Sequence, residues 1–406
     1  MQTLTHKHAD DRFVVLTGAT GLLGSYILHN LLKKGQKVAV IVRAGKKETA
    51  EHRIMKILDH WKKESGKAVP MPLVFSGDIL DGTAFERISQ QLKNRCRSVI
   101  HCAASLTFYG AFGGEPWLSN IEGTKRVLEF CREVNNREMH YVSTAYIAGY
   151  SRNFYEKDVD IGQKLRNDYE QSKLDAEKLV RGADFLTDLT VYRPSIVVGD
   201  SVTGYTPTFH GFYALLKLGH TVVSRMSIGS TSSKALLAAI GAKGTERKNF
   251  VPVDWVTDVF DHIYSRTELH GRTYHLTAPK PPLVSEFAET LQDAVETWSV
   301  LADKHDPNRA DEKWFFLQFM EGMQTYRAYV QDDPQFDSSN TQLAAPHLPC
   351  PVMDRELMLF LARYAILSRF GKRKVNRAEM FPGKTDSAVI LPNRSAVVAA
   401  AAETAG

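Results

Sequence analysis

The segment that decides the fold reads Thr17-Gly18-Ala19-Thr20-Gly21-Leu22-Leu23-Gly24. It follows a short apolar run over residues 13–16 and precedes a helical stripe of leucine and isoleucine that stops at Gly35. A glycine-rich turn between a buried strand and a helix cradles a pyrophosphate, because backbone amides and the helix N-terminus face the anion. The segment therefore predicts a Rossmann-type domain that binds a dinucleotide.

Each glycine of this turn has its own predicted role. Gly18 permits the tight turn, Gly21 lets backbone amides approach the pyrophosphate, and Gly24 lets the helix pack close to the sheet. The spacing is G-x-x-G-x-x-G, which differs from the G-x-G-x-x-G of ordinary dehydrogenases. The other cofactor-binding residues predicted in the turn are Thr20, Leu22 and Leu23.

The first half of the chain alternates apolar strands with helices. The predicted strands cover residues 13–16, 38–42, 73–75, 98–102, 139–143 and 189–192, with amphipathic helices between them, among them 120–134 and 167–181. Continuous apolar strands separated by helices are typical of a parallel sheet covered on both faces. The predicted fold class is therefore α/β, a doubly wound parallel sheet. Residues 249–253 and 272–276 are predicted as late strands that return to this sheet.

The predicted domain organisation follows from the end of the regular alternation of strands and helices after Pro194. We predict a cofactor-binding Rossmann domain over residues 1–198, with the returning strands at about 249–277. Residues 199–248 and 278–375 are predicted as a smaller, mainly helical part that binds the substrate beyond the carboxyl ends of the strands. The last segment, 376–406, ends in AVVAAAAETAG and is predicted to be a disordered tail.

Composition and charge exclude several functional classes. The formal net charge of +5 on 406 residues is too mild to indicate a nucleic-acid partner, but it suits a protein that handles phosphate-bearing cofactors or an acidic carrier. No apolar run reaches the roughly 18 residues of a membrane span, and MQTLTHKHADD at the N-terminus lacks a signal-peptide core. A cytoplasmic location is expected.

Residues 353–374 form a helical pattern of apolar residues with a basic end. This pattern fits a core helix or, alternatively, peripheral contact with a membrane or carrier.

The cysteines and histidines give no metal signature. The four cysteines show no paired spacing, so neither a zinc site nor a disulfide framework is predicted. His101 lies beside Cys102 without a second ligand cluster in the sequence, and a buried structural histidine is the favoured interpretation. No metal is expected.

The end of the second strand indicates which dinucleotide binds. An acidic residue there would bond the ribose 2′-hydroxyl of NADH, but this chain has Arg43. A guanidinium matches a 2′-phosphate, so NADPH is the predicted cofactor. Asp78 and Ile79, after the third strand, are predicted to meet the adenine; alternatively, Asp78 caps the next helix.

A tyrosine and a lysine one helical turn apart predict the catalytic machinery. Tyr169 and Lys173 fall on one helix face, where an ammonium would lower the pKa of the phenol from its usual value of about 10. Thr144 follows the predicted fifth strand, at the sheet edge where cofactors bind. We therefore expect Thr144 and Tyr169 to polarise a substrate carbonyl.

Six motifs in this order resemble the extended short-chain dehydrogenase/reductase superfamily, namely TGATGLLG, HCAAS, NIEGT, YVSTAY, YEQSK and VYRPSIVVGD. Three further stretches resemble the branch of thioester reductase domains and male-sterility-type fatty acyl-CoA reductases: IVRA at 41–44, residues 193–200, and NFVPVDWVTD at 249–258. The resemblance covers about residues 12–280 and is weaker beyond, where residues 336–341 match the C-terminal part of acyl-CoA reductases. The stretch between Asp78 and Ser98 is short for long acyl-CoA reductases, which leaves the acyl chain length open.

The resemblance also implies roles for individual residues. It implies Thr144, Tyr169 and Lys173 as the catalytic trio and Asn120 as the asparagine that braces the site. It further implies a nicotinamide-side wall and a floor under the cofactor. The wall residues are Pro194, Ser195 and Ile196, and the floor residues are Ala103, Ala104 and Ser105.

The activity implied by the resemblance is NADPH-dependent reduction of an acyl thioester, carried on coenzyme A or an acyl carrier protein, to an aldehyde and then to an alcohol if a second hydride follows. Two alternatives stay open. The same trio serves a ketone or aldehyde reductase, and the same fold serves a non-catalytic NADP-binding regulator. The sequence does not determine the oligomeric state.

Overall fold

The computed structural model describes residues 11–110, 114–225, 233, 237, 241–298, 329 and 331–381. The strands are β1 Phe13–Thr17, β2 Val38–Val42, β3 Leu73–Ser76, β4 Cys96–His101, β5 Glu138–Val142, β6 Asn153–Phe154, β7 Asp188–Pro194, β8 Ile196–Val198, β9 Phe250–Pro252, β10 Thr273–Leu276 and β11 Gln335–Phe336. The α-helices are α1 Leu22–Lys33, α2 Ala50–Ser65, α3 Gly82–Leu92, α4 Gly123–Glu133, α5 Asp168–Arg181, α6 Phe212–Arg225, α7 Val253–Tyr264, α8 Val284–Trp298, α9 Ser339–Ala344, α10 Arg355–Leu367 and α11 Arg377–Met380.

The main sheet has seven strands in the order β10-β7-β5-β4-β1-β2-β3. The pairs β1–β2, β2–β3, β1–β4 and β4–β5 are all parallel. The chain runs outward from β1 on one side and then restarts at β4 on the other, so the strand order reverses between β1 and β4. This confirms the predicted doubly wound parallel sheet, whose ligand crevice lies at such a reversal.

The central strands are apolar throughout because helices cover both of their faces. Every residue of β2 is buried, and β1 is buried from Val14 onward. Phe85 and Ile88 from α3 and Phe130 from α4 pack into the same core cluster as the sheet residues Val15 and Ile41. This cluster fixes the ends of the strands that carry the site.

The described residues fall into two compact units. The first comprises those up to Ser143, together with Ser172–Val191 and His270–Arg272. The second comprises the others and has its own apolar cluster, in which Phe212, Phe250 and Phe287 pack with Leu361 of α10. The burial of Met358, Leu361 and Ile366 agrees with the core-helix interpretation of residues 353–374.

One predicted late strand joins the main sheet and the other does not. Residues 272–276 contain β10, as predicted, but β9 pairs in parallel with β8 in a separate two-stranded sheet. The prediction that residues 249–253 return to the main sheet is wrong. The strand ends after three residues at Pro252, which lacks an amide donor and immediately precedes α7. An apolar run this short does not reveal its pairing partner.

Two other predictions concern chain segments at helix boundaries. The predicted helix 120–134 begins with a π-helical turn, Leu118–Glu122, before α4. The predicted tail starts with the short helix α11, whereas residues 382–406 lie outside the described residues. Within the described part of the chain, none of the helices combines the length and apolarity that crossing a membrane requires.

Candidate active site

The glycine turn is shaped by two close backbone approaches. Gly18 has φ +75°, and a Cβ there would lie 2.6 Å from the Ala103 amide nitrogen. A Cβ on Gly24 would lie 2.0 Å from the Gly18 carbonyl oxygen. The close approach at Gly18 is to the segment after β4, and the close approach at Gly24 is to the turn itself, so the roles of both glycines in cofactor binding stay predictions. The result is a backbone cradle that any side chain would fill, at a helix N-terminus without a side-chain cap, which fits a pyrophosphate.

Arg43 and Asp78 meet at the end of β2. The Arg43 Nη1 lies 3.5 Å from Asp78 Oδ2, and the two side chains are 66% and 35% exposed. Asp78 Oδ1 accepts a hydrogen bond from the Leu80 amide, while α3 is capped by Asp81. The alternative that Asp78 caps this helix is therefore wrong. Ile79 is half-buried and its side chain occupies the space that a side chain at Gly123 would fill.

Arg53 is a residue that sequence reasoning missed. Its Nη1 donates to the Arg43 carbonyl at 2.7 Å and its Nη2 donates to Thr20 Oγ1 at 3.1 Å. One guanidinium thereby joins the end of β2 to the glycine turn. The sequence signal that could have identified Arg53 was its position on α2, the helix that follows the basic residues after β2.

The segment after β4 is hydrogen-bonded to Asn120, the residue to which the resemblance assigns the bracing of the site. Asn120 Oδ1 accepts from the Ser105 amide at 2.8 Å, and its Nδ2 donates to the Ser105 carbonyl at 3.1 Å and to Ser172 Oγ at 2.9 Å. Asn120 is buried in the π-helical turn. The Ala103 amide donates a hydrogen bond to Thr17 Oγ1. Of the three residues predicted to lie under the cofactor, Ala104 is the exposed one.

Lys173 is held at the carboxyl end of β5. Its Nζ donates to the Tyr141 hydroxyl and to the Val142 carbonyl, each at 2.9 Å. Burial lowers the pKa of Lys173 to about 8. Tyr141 was missed as a site residue because a buried tyrosine within a strand has no distinctive sequence signal.

Thr144 and Tyr169 are brought together in the second unit. Their side chains are hydrogen-bonded, and Thr144 Oγ1 also donates to the Pro194 carbonyl at 3.4 Å. Burial raises the pKa of Tyr169 to about 12, although the bond to Thr144 opposes the shift. The expectation of a phenol pKa below 10 is therefore wrong, because desolvation of the phenolate dominates.

Comparison with known proteins places this chain in a family. The family model described as "Male sterility protein", an NAD-binding family, matches residues 16–260. The chain belongs to the male sterility protein family. This confirms the resemblance to the extended short-chain dehydrogenases/reductases, and the family's NAD-binding character supports a nicotinamide cofactor.

One curated relative is the aldehyde reductase lnaA of Aspergillus flavus, which is 28% identical over 398 residues. The match covers 86% of this chain and 36% of the relative, so the chain spans about a third of that protein's length. The terminal R domain from the myxalamid PKS-NRPS pathway has a TM-score of 0.68 at 22% identity, covering 89% of this chain and 92% of that domain. A thiolation-reductase di-domain from an archaeal non-ribosomal peptide synthetase has a TM-score of 0.63 at 18% identity, covering 89% and 76%. These two structures share the fold.

Asn249, at the start of the stretch 249–258, is hydrogen-bonded to the predicted nicotinamide-side wall. Ser195 Oγ donates to Asn249 Oδ1 at 2.7 Å, and the Ile196 amide donates to the Asn249 carbonyl at 3.1 Å. Asn249 Nδ2 donates in turn to the Ala278 carbonyl at 2.9 Å. Asn249 therefore fixes the backbone that follows Pro194.

A buried charged cluster surrounds the start of α5 in this family member. Arg166 lies 3.3 Å from Glu170 Oε1 and 3.9 Å from Asp333 Oδ1. Asp333 also accepts from Lys248 Nζ at 2.7 Å and from the Tyr146 hydroxyl at 2.7 Å. Sequence reasoning missed this cluster because Asp333 lies far along the chain from its partners.

His101 has the structural role that was expected. Its Nδ1 lies 2.7 Å from Thr17 Oγ1 and its Nε2 lies 3.1 Å from Thr124 Oγ1. Burial lowers the pKa of His101 to about 3, so the ring is neutral at physiological pH. Both ring nitrogens serve to join β4, β1 and α4.

Proposed function

We propose that this chain is an NADPH-dependent reductase of an acyl thioester, and that the acyl group is presented on a carrier protein or on coenzyme A. The observation that carries the proposal is the hydrogen-bonded pair of Thr144 and Tyr169. Two adjacent hydroxyl groups, one of them a phenol that stays protonated at neutral pH, suit a carbonyl oxygen that becomes an oxyanion.

The choice of NADPH rests on Arg43. Its side chain is 66% exposed, and a surface ion pair such as the one with Asp78 is weak in water, so the guanidinium is available to a 2′-phosphate. The Gly18–Gly24 cradle would hold the pyrophosphate, and Lys173 would bond the nicotinamide ribose. When bound, NADPH supplies the hydride that reduces the carbonyl carbon.

The protein residues then handle charge and protons. Tyr169 is protonated at neutral pH, so it donates a hydrogen bond and then a proton to the thioester oxygen. Thr144 donates a second hydrogen bond to that oxygen when its hydroxyl hydrogen turns away from the Pro194 carbonyl. Lys173, one helical turn later on α5, carries a positive charge at neutral pH. The resulting hemithioacetal loses its thiol as the C–S bond breaks, which gives an aldehyde and a free thiol.

The carrier is inferred from the relatives. The R domain and the thiolation-reductase di-domain belong to assembly lines, which supports a carrier-bound thioester for this chain. A second candidate, an aldehyde reductase, is favoured by the relative lnaA and by the same hydroxyl pair, which serves any carbonyl.

One experiment separates these candidates. Purified protein is incubated with NADPH or NADH and a panel of acyl-CoA thioesters, acylated carrier protein, aldehydes and ketones, while NADPH consumption and thiol release are followed together. Thioester reduction requires both signals, with one NADPH consumed per thiol released when the product is the aldehyde and two when it is the alcohol. NADPH consumption with aldehydes or ketones and no thiol release from any thioester would reject the proposal in favour of the second candidate.

The variant Tyr169→Phe tests the role of the phenol. We expect turnover to fall by about 10²- to 10⁴-fold, as is typical when an acid catalyst is removed, with NADPH binding retained. Tyr155→Phe, at a tyrosine that is 49% exposed, is the matched control and should keep wild-type turnover. Near-wild-type activity of Tyr169→Phe would remove the phenol from the mechanism.

A further inference from the structure

Two histidines and two carboxylates converge at the amino end of β5. Glu138 is the first residue of β5, and His140 follows on the same face of the strand. Asp188 is the first residue of β7, and His270 lies in the segment before β10. All four belong to the first compact unit.

This cluster is distinct from the candidate active site. Val142, whose carbonyl accepts from Lys173, is at the opposite end of β5. At about 3.3 Å per residue, the strand separates Glu138 from Val142 by about 13 Å. Cofactors bind at the carboxyl ends of the strands, so the proposed reaction uses none of these four side chains.

The distances within the cluster match those between ligands of one metal ion. Glu138 Oε1 lies 3.2 Å from His140 Nε2 and 4.0 Å from His270 Nδ1. His270 Nδ1 lies 3.3 Å from Asp188 Oδ2. A tetrahedral zinc ion with bonds of about 2.0–2.2 Å separates its ligand atoms by roughly 3.3–3.6 Å. The ligand atoms of Glu138, His140 and His270 all lie within 4.8 Å of one another, so small side-chain movements would bring these three into coordination. Asp188 lies next to His270 and would turn towards the same point to become the fourth ligand.

The two histidines of the cluster are shielded from water, whereas its two carboxylates are partly exposed. The side chains of His140 and His270 are 0% and 2% exposed, whereas Glu138 and Asp188 are 23% and 33% exposed, so an ion would enter from the carboxylate side. The Gly271 amide donates to Thr190 Oγ1 at 3.0 Å, which holds His270 against β7. Asp188 Oδ1 is buried and has no hydrogen-bond donor among the residues that the structure describes.

We propose that Glu138, His140, His270 and Asp188 form a stabilising Zn²⁺ site. Imidazole nitrogens and carboxylate oxygens suit a borderline cation, and a dication neutralises the two carboxylates. Four protein ligands would close the coordination sphere, which is typical of a structural site and not a catalytic one. The ion would tie the segment at residue 270 to β5 and β7. Sequence reasoning expected no metal because the ligands are spread from residue 138 to residue 270 and include no cysteine.

Zinc affinity and stoichiometry test this site directly. The full chain is stripped with a chelator and titrated with Zn²⁺ against a chromophoric chelator, and thermal unfolding is measured with and without Zn²⁺. We expect one tightly bound Zn²⁺ per chain and a higher Tm. Glu138→Gln and His270→Gln should each weaken binding by at least about 100-fold, because losing a ligand exceeds the 10- to 100-fold effect of losing an outer-shell partner.

His347→Gln is the matched control. The His347 ring packs against another histidine, His262, with centroids 4.4 Å apart, as the His270 ring packs against His140. It should keep wild-type zinc affinity. Failure of the wild-type chain to bind Zn²⁺, or unchanged affinity in Glu138→Gln and His270→Gln, would overturn the proposal.

Cobalt decides the question if the glutamine variants do not fold, which circular dichroism would reveal. Co²⁺ bound to the wild-type chain should give the visible bands of a tetrahedral site. A thiolate charge-transfer band, which would place the ion on a cysteine, or an octahedral spectrum would contradict the assignment.

Discussion

Replacing Gly24 with alanine tests whether the close approach of α1 to the glycine turn shapes the cofactor cradle. The new Cβ would lie 2.0 Å from the Gly18 carbonyl oxygen, whereas ordinary contacts begin at 3.4 Å. The difference, 3.4 − 2.0, requires a displacement of about 1.4 Å. Both sides of the contact are backbone, so no side-chain rotation relieves the clash.

The displacement should weaken both folding and cofactor binding. Overpacking of this kind costs about 1–3 kcal/mol in the free energy of unfolding. Each charge-assisted hydrogen bond that the moved amides lose to the pyrophosphate is worth about 1.5–3 kcal/mol. Since tenfold in Kd corresponds to about 1.4 kcal/mol, loss of one bond raises the Kd for NADPH by about 10- to 100-fold.

Gly21→Ala is the control for folding stability within the same turn, because the predicted role of Gly21 towards the pyrophosphate concerns cofactor binding alone. Its φ is −81°, and its Cβ would lie 3.3 Å from the same oxygen, so it needs almost no movement. Calorimetric titration with NADPH and urea denaturation measure both variants. If Gly24→Ala binds NADPH like the wild type, or if Gly21→Ala loses as much free energy of unfolding as Gly24→Ala, the steric reasoning is wrong.

Three further predictions concern charged residues. Arg43→Ala should raise the KM for NADPH by about 10- to 100-fold with the KM for NADH unchanged, and equal effects on both cofactors would exclude a 2′-phosphate contact. For Lys173, the native pKa of about 8 lies below the unfolded value of about 10.4, so the cost of burying its ammonium is full below pH 8 and is lost as pH rises towards 10.4. The free energy of unfolding of the wild type should therefore rise relative to that of Lys173→Met over this window in urea titrations, and a constant difference would contradict the low pKa. Asp333→Asn, which leaves Lys248 buried without its carboxylate and Arg166 with Glu170 alone, should cost about 3–5 kcal/mol in urea denaturation at pH 7, and wild-type stability would show that the cluster is dispensable.

The sequence predicted the central sheet well because its signals are local. Continuous apolar runs bounded by turns identify β1 to β5, and the glycine spacing identifies the turn after β1. The spacing of Tyr169 and Lys173 needs only one helix, which α5 provides. These features depend on residues within a few turns of one another.

Features that depend on distant residues could not be predicted. The pairing of β9 with β8 joins segments about fifty residues apart, and Asp333 meets partners from residues 146 to 249. The pKa of Tyr169 depends on burial by the surrounding chain, which a helical spacing does not report. The same holds for Arg53, whose two acceptors belong to different loops.

The two hydrogen bonds donated by the Arg53 guanidinium have a consequence for engineering this protein. Arg53 holds the Arg43 carbonyl and the Thr20 hydroxyl, so it fixes the path of the chain and not the Arg43 side chain. The Arg43 side chain is exposed and can be exchanged without disturbing that path. The proposed contribution of Arg43 to cofactor preference can therefore be varied separately from the architecture of the turn. Arg43 can be varied in a library while Arg53 is kept constant, and the scaffold should stay intact across its members.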